Sequence, residues 1–270
     1  MRIILILLLS LLKQNIIAQT GIVYYGHKQS FGMGAPIGVD YNAELVFNAK
    51  NSTYTFASDS LEGGHIAKMN VFKNEKRHFM IMKRTTEKGF IYNMDRNANL
   101  IQSRDIGYNY VKDKIPKISW KIENETKEIG KFKCTKATCS FRGRDYTAWF
   151  ATSIPLPYGP WKLQGLPGLI LEAYDADKEI FFYFKSIEYP STKPFRIKTP
   201  NPKTNTDMER NWPTTKRDWI TFEGFKEQII ERHNIGTKVG RMLSEQTQSI
   251  LQANSSNPMR NGYIEIFDED

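Results

Sequence analysis

Along most of this chain, apolar and polar residues alternate with a period of two, in short stretches broken by turn-forming residues. Successive strand side chains point to opposite faces, so that period predicts half-buried strands rather than helices. Thr20–Lys28, Tyr41–Phe47 and Ser52–Phe56 read as strands, and Asn48–Asn51 as a hairpin turn between the last two. Phe31–Gly38, rich in glycine, reads as loop, and polar Ser58–Asn70 as a long loop. His78–Lys83, Gly89–Met94, Asn99–Arg104, Gly107–Lys112 and Ile118–Ile122 continue the series, followed by a polar link over Asn124–Gly130. Lys131–Phe141 and Arg144–Ala151 form the clearest hairpin, with Arg142-Gly143 at its tip. Gly168–Asp175 and Glu179–Glu188 form another, and Phe181–Phe184, apolar on both faces, predicts a central strand. About ten strands in succession predict a mainly β fold: a large curved antiparallel meander or partly open barrel, because a flat sheet of that size exposes long edges.

The pattern changes after Tyr189. Pro190, Pro194, Pro200, Pro202 and Pro213 mark an extended crossing segment. Thr221 caps a helix over Phe222–Arg232, where Phe222, Phe225 and Ile229 recur at helical spacing. Gly236 reads as its stop and Gly240–Gln252 as a second helix, placing one or two helices within about 221–253. Asn254–Pro258 reads as a linker, and Tyr263–Phe267 returns to the strand period. One β-rich domain over 19–270 accommodates all of this. A curved sheet wrapping helices is the arrangement of the periplasmic lipoprotein carriers, an analogy of fold alone.

The sharpest departure from alternation is Gly159–Glu172, where three glycines and two prolines stand among large apolar residues. Pro167-Gly168 suits the centre of a type II turn, and Leu169-Ile170-Leu171 reads as a strand buried on both faces. The segment is either a structural corner or a rigid lip displaying Tyr158 and Trp161. Gly165, Leu166, Pro167, Gly168, Leu169 and Ile170 spell GLPGLI. With Trp120-Lys-Ile, Cys134-Thr-Lys-Ala137, Gly143–Phe150 and Ile154–Pro160, the chain resembles the GLPGLI family of exported Bacteroidetes proteins. Cys139 departs from that pattern, which has one cysteine in this region. The resemblance implies no catalytic residues, because the family has no assigned function.

Composition adds a compartment. Arg2 precedes the apolar run Ile3–Leu12, and Ala18 suits cleavage, so residues 1–18 read as a secretory signal peptide. The run is shorter than the roughly 20 residues a bilayer-spanning helix needs. No cysteine lies near the cleavage site, so no lipid anchor is expected there. The product is expected to be soluble and exported, to the periplasm or beyond. A formal charge of +9 suits anionic lipid, acidic glycan or an acidic envelope partner, and no nucleic-acid motif accompanies it.

Candidate chemistry is sparse. Cys134 and Cys139 lie on one strand about 16 Å apart, beyond the roughly 7 Å reach of a disulfide, so both should be free. Their odd separation places them on opposite faces. His27, His65, His78 and His233 are scattered, and neither metal nor other cofactor is expected. Met80, Met82, Met69 and Met94 suit core packing better than a soft-metal site. Asp175, Asp177 and Glu179 read as a solvated hairpin tip rather than a calcium site. The most suggestive group is Arg142, Arg144 and Lys162, close to Trp149, Tyr158 and Trp161: either an anion site beside an aromatic lip, or turn-holding ion pairs. These features favour a noncatalytic ligand- or partner-binding protein of the cell envelope. An accessory subunit of an outer-membrane transport or surface-assembly system is the alternative, and a hydrolase built on Cys134 or a dispersed His–Asp pair is a third reading.

Overall fold

The computed structural model describes residues 20–31, 37–73, 78–191, 199–204, 218–247 and 264–267. Residues 1–18, expected to be a leader, most of the proline-rich crossing and the expected linker at 254–258 lie outside them. The strands are β1 (Gly21–Gln29), β2 (Val39–Phe47), β3 (Asn51–Phe56), β4 (Ala67–Lys73), β5 (His78–Arg84), β6 (Phe90–Asp95), β7 (Leu100–Asp105) and β8 (Asn109–Lys114). They continue as β9 (Lys121–Ile129), β10 (Phe132–Phe141), β11 (Arg144–Ala151), β12 (Leu169–Asp175), β13 (Ile180–Glu188) and β14 (Trp219–Thr221). Helix α1 is Asp59–Glu62 and α2 is Phe222–Thr247.

Among the described residues, twelve strands make one open sheet in the order β14-β8-β7-β6-β3-β2-β1-β13-β12-β11-β10-β9. It is built from two meanders. One runs outward from β1 to β8; the other returns from β9 to β13, and β1 pairs with β13 to join them. Between β8 and β9 the chain must pass from one edge region to the other. Ten strand spacings of about 4.8 Å would separate these strands by roughly 48 Å in a flat sheet. The link from Lys114 to Lys121 spans at most about 25 Å. The sheet therefore curls strongly, and its inner face is filled by the chain's own side chains. Tyr25, Leu45, Phe47, Tyr54, Phe150 and Phe182 belong to that core.

The curved, mainly β architecture agrees with the sequence pattern, and several local expectations are corrected. Ser58–Asn70 is not one loop: it holds α1 and β4. Strand β3 pairs directly with β6, so β4 and β5 form a separate two-stranded ribbon outside the main sheet. Residues 118–120 are not strand, and the polar link at 124–130 is mostly β9, an edge strand with both faces wet. An edge strand rich in charge needs no apolar stripe, which hid it. Gly236 does not end a helix; α2 is continuous over 26 residues. A Cβ at Gly236 would meet nothing within 4 Å, so this glycine stands in open space. Thr221 does cap the helix, its Oγ1 accepting from Gly224 N at 3.1 Å. Of the alternating stretch 263–267, residues 264–267 are buried but not strand.

Candidate functional site

The glycine–proline segment enters the interior as a buried strand, since Leu169, Ile170 and Leu171 are fully buried. The turn chemistry differs from expectation. Gly165, at φ 96°, takes the left-handed conformation, and Gly168 does not. Gly168 instead permits close backbone approach, because a Cβ there would lie 2.3 Å from the Ala151 carbonyl oxygen. Arg96 clamps the segment from outside, donating to Pro157 O at 2.7 Å and lying over the Tyr158 ring. Trp120 Nε1 donates to Gln164 O, and Gln164 Nε2 donates to Pro116 O.

The aromatic lip is therefore corrected: Trp161 is 2% exposed and Tyr158 1%. Packing against Phe141 and Tyr146 turns Trp161 inward, and Phe47 packs on Tyr158. Trp149 and Phe150, adjacent on β11, are both buried, although strand alternation would turn one of them to each face. A register shift between them and a covering Lys127 ammonium, 4.4 Å from the Trp149 centroid, account for this.

The cationic trio does converge, around the chain's own C-terminal segment. Lys162 Nζ donates to Glu265 Oε1 at 2.7 Å, and Arg142 Nε stands 3.6 Å from the same oxygen. Arg144 Nε donates to Ile264 O at 3.1 Å, while its Nη1 donates to Asp175 Oδ2 at 2.6 Å. Ile266 N donates to Arg142 O at 3.0 Å. Gly143 makes room, since a Cβ there would approach Ile266 O to 2.5 Å. Ile266 and Phe267 then complete a second apolar cluster with Val111, Phe225 and Ile229. Arg142 also pairs with Asp113 at 2.7 Å, although burial outweighs the nearby cations and raises the Asp113 carboxyl above its usual range. Asp175 and Glu179, expected in solvent, are buried against Arg144. Only Asp177 of that alternating trio is exposed.

The residues considered for catalysis are poorly placed for it. Both cysteines are free and buried. Cys134 and Cys139 are both buried, as is Ala137 between them, and the β9–β10 pairing shifts register between Thr135 and Ala137 with the extra residues on β9. Burial pushes the Cys134 thiol up to about 11 and Cys139 up to about 12, so neither is a thiolate at neutral pH. His27 is fully buried, hydrogen-bonded to Gln29 and Tyr54, and desolvation lowers it to about 3. Among the described residues no cluster of three His, Cys, Asp or Glu side chains could hold a metal. Nor is any described helix long and apolar enough to cross a bilayer.

Two features escaped the sequence pattern. Met69, Val71, Met80 and Met82 are not core: they are 52, 55, 72 and 49% exposed on the ribbon's outer face. Met94 alone of the four methionines considered is buried. Beneath the ribbon's inner face lies a cavity of ≈ 300 Å³ lined by Val39, Phe72, Phe181, Lys28, Asp40 and Lys178. Asp40 Oδ2 accepts from Tyr183 at 2.9 Å and lies 3.9 Å from Lys28. Lys178 stands on the β12–β13 turn, at the cavity's border. A cavity between remote segments leaves no local signature, which is why the alternation did not reveal it.

A strongly curved β-sheet protein with an internally occupied basic cluster is what fold and site define. Residues 142–172 match the model of a family described as a protein of unknown function, Porph_ging, and GLPGLI falls within that stretch. No curated protein matches the chain. Among solved structures, PNGF-II in space group P21 is similar over 78% of this chain and 33% of its own, at 15% identity and TM-score 0.46. PNGF-II in space group C2 gives 78% and 32%, at 13% identity and the same TM-score of 0.46. The chain thus spans about a third of those structures' length.

Proposed function

We propose that this is an exported, noncatalytic binding protein of the cell envelope, of the GLPGLI kind, and that its ligand is a small amphiphile with one anionic head. The leader-like first 18 residues and the GLPGLI hexapeptide support the first part. The observation that carries the second is the cavity beneath the ribbon. At ≈ 300 Å³ it falls at the small end of the range for ligand sites, about 300–1,000 Å³. Val39, Phe72 and Phe181 offer an apolar wall. Asp40 Oδ2 is engaged by Tyr183 and Lys28, and Lys178, which also lies 5.3 Å from the Tyr174 ring centroid, is the cation assigned to the anionic head. The carrier-like version, with a guest held in the concave sheet, loses support because core side chains fill that face. The thiol version of a hydrolase loses support from the buried, protonated cysteines.

Calorimetric titration with octanoate and octanol tests this reading. Octanoate should bind saturably, and Lys178→Met should weaken it about tenfold while leaving octanol unchanged, as loss of one charge-assisted contact implies. Absence of saturable binding, or an unaffected Lys178→Met variant, would contradict the reading.

A further inference from the structure

The β4–β5 ribbon presents two different faces. Its pairing sets Met69 opposite Met82 and Val71 opposite Met80, with Ala67 opposite Arg84 beyond them. Directly paired residues share a face, so these side chains form one surface, with Lys73 continuing it along β4. The other face holds Phe72 and Ile81 against the core. Lys83, also on that side, anchors the ribbon by donating to Asp40 O at 2.7 Å and Glu62 Oε2 at 2.8 Å. The inner face therefore already has its partner in the fold, and the outer apolar face has none among the described residues.

We infer that this outer face docks the protein on an anionic lipid surface. Charge complementarity favours that occupant. Neither β4 nor β5 contains an acidic residue; Lys73 and Arg84 flank the methionines on the outer face, while Lys68 and Lys83 lie on the opposite side. Long cationic side chains reach headgroups while their stems, and unbranched thioether chains between them, enter the acyl boundary. Size points the same way. Two strands of seven residues, at about 3.3 Å per residue and about 4.8 Å of width per strand, give a face of roughly 220 Å². A stable protein interface covers about 800 Å² per partner. A patch this small and this basic suits shallow insertion in a bilayer, where the surface charge of the lipid adds to it.

Vesicle sedimentation of the chain starting at Gln19, which contains every described residue, tests the inference. One set of vesicles is phosphatidylcholine alone, the other contains phosphatidylglycerol. Binding should favour the anionic vesicles by about tenfold and weaken as salt is raised. Met80→Ser with Met82→Ser should reduce it by about tenfold, as expected from lost apolar burial, at an unchanged melting temperature. Lys73→Gln with Arg84→Gln should remove the preference for anionic lipid. Failure to bind anionic vesicles, or undiminished binding by the doubly substituted methionine variant, would overturn it. The second result would assign binding to the general positive charge instead.

Discussion

Among the described residues, His27 carries a clear pH signature. Its ring lies 4.0 Å from the Phe56 centroid and 4.7 Å from Phe182, with no exposure to water. Desolvation lowers its folded pKa to about 3, against about 6.5 in an unfolded chain. The fold thus favours the neutral ring. Its contribution is complete above the unfolded value and is lost as pH falls through the window from about 6.5 to about 3. Two pH units inside that window correspond to about 2 kcal/mol. Stability measured by denaturant at pH 6.5 and pH 4.5 should therefore fall less steeply in His27→Gln than in the wild type, even if the variant starts lower. Equal slopes would mean that His27 is hydrated. Sequence showed four scattered histidines and gave no reason to single this one out. Its environment comes from Tyr54, Phe56 and Phe182, strands away in the sheet.

At the scale of elements, the C-terminal segment is the piece that closes the fold. Ile264 joins the main core, Ile266 and Phe267 join the second cluster, and Glu265 meets Lys162 where the two side chains are 4% and 1% exposed. Removing one member of a buried ion pair leaves an uncompensated charge and costs about 3–5 kcal/mol, whereas replacing both with apolar groups is often neutral. Glu265→Ala should lose that amount in equilibrium unfolding, and Lys162→Met with Glu265→Met should recover most of it. A loss below about 1 kcal/mol for Glu265→Ala would place the segment in solvent. The residue types here were legible: Arg142, Arg144 and Lys162 stood out as either an anion site or turn-holding ion pairs, and they form internal ion pairs, Arg144 with Asp175 and Glu179, Lys162 and Arg142 with the Glu265 carboxylate. Its source was not legible, because it lies 103 residues beyond Lys162 in the chain. Hairpins and their tips followed from alternation, since each strand there has one face on the core. The edge strand β9 and the ribbon strand β4 did not, because their apolar content is not explained by burial.

For the whole molecule, curvature decides what is inside. Two meanders joined through β1 and β13 curl the sheet until the glycine–proline segment becomes part of its core. The ribbon, excluded from the sheet by direct β3–β6 pairing, is left outside with its methionines in water. The sequence pattern left the aromatic segment open between a structural corner and an exposed lip, and placed the methionines inside. Aromatic, thioether and aliphatic side chains are all apolar, so period alone cannot say which of them the curl encloses. The proposed binding is accordingly placed on the ribbon and the cavity beneath it, while the buried Trp149 and Trp161 belong to the core. Hydroxyl-radical footprinting of the native chain, read by mass spectrometry, tests that assignment most directly. Met69, Met80 and Met82 should oxidise rapidly while Tyr158, Trp149 and Trp161 remain protected; rapid labelling of Trp161 and Tyr158 with protected ribbon methionines would contradict the account.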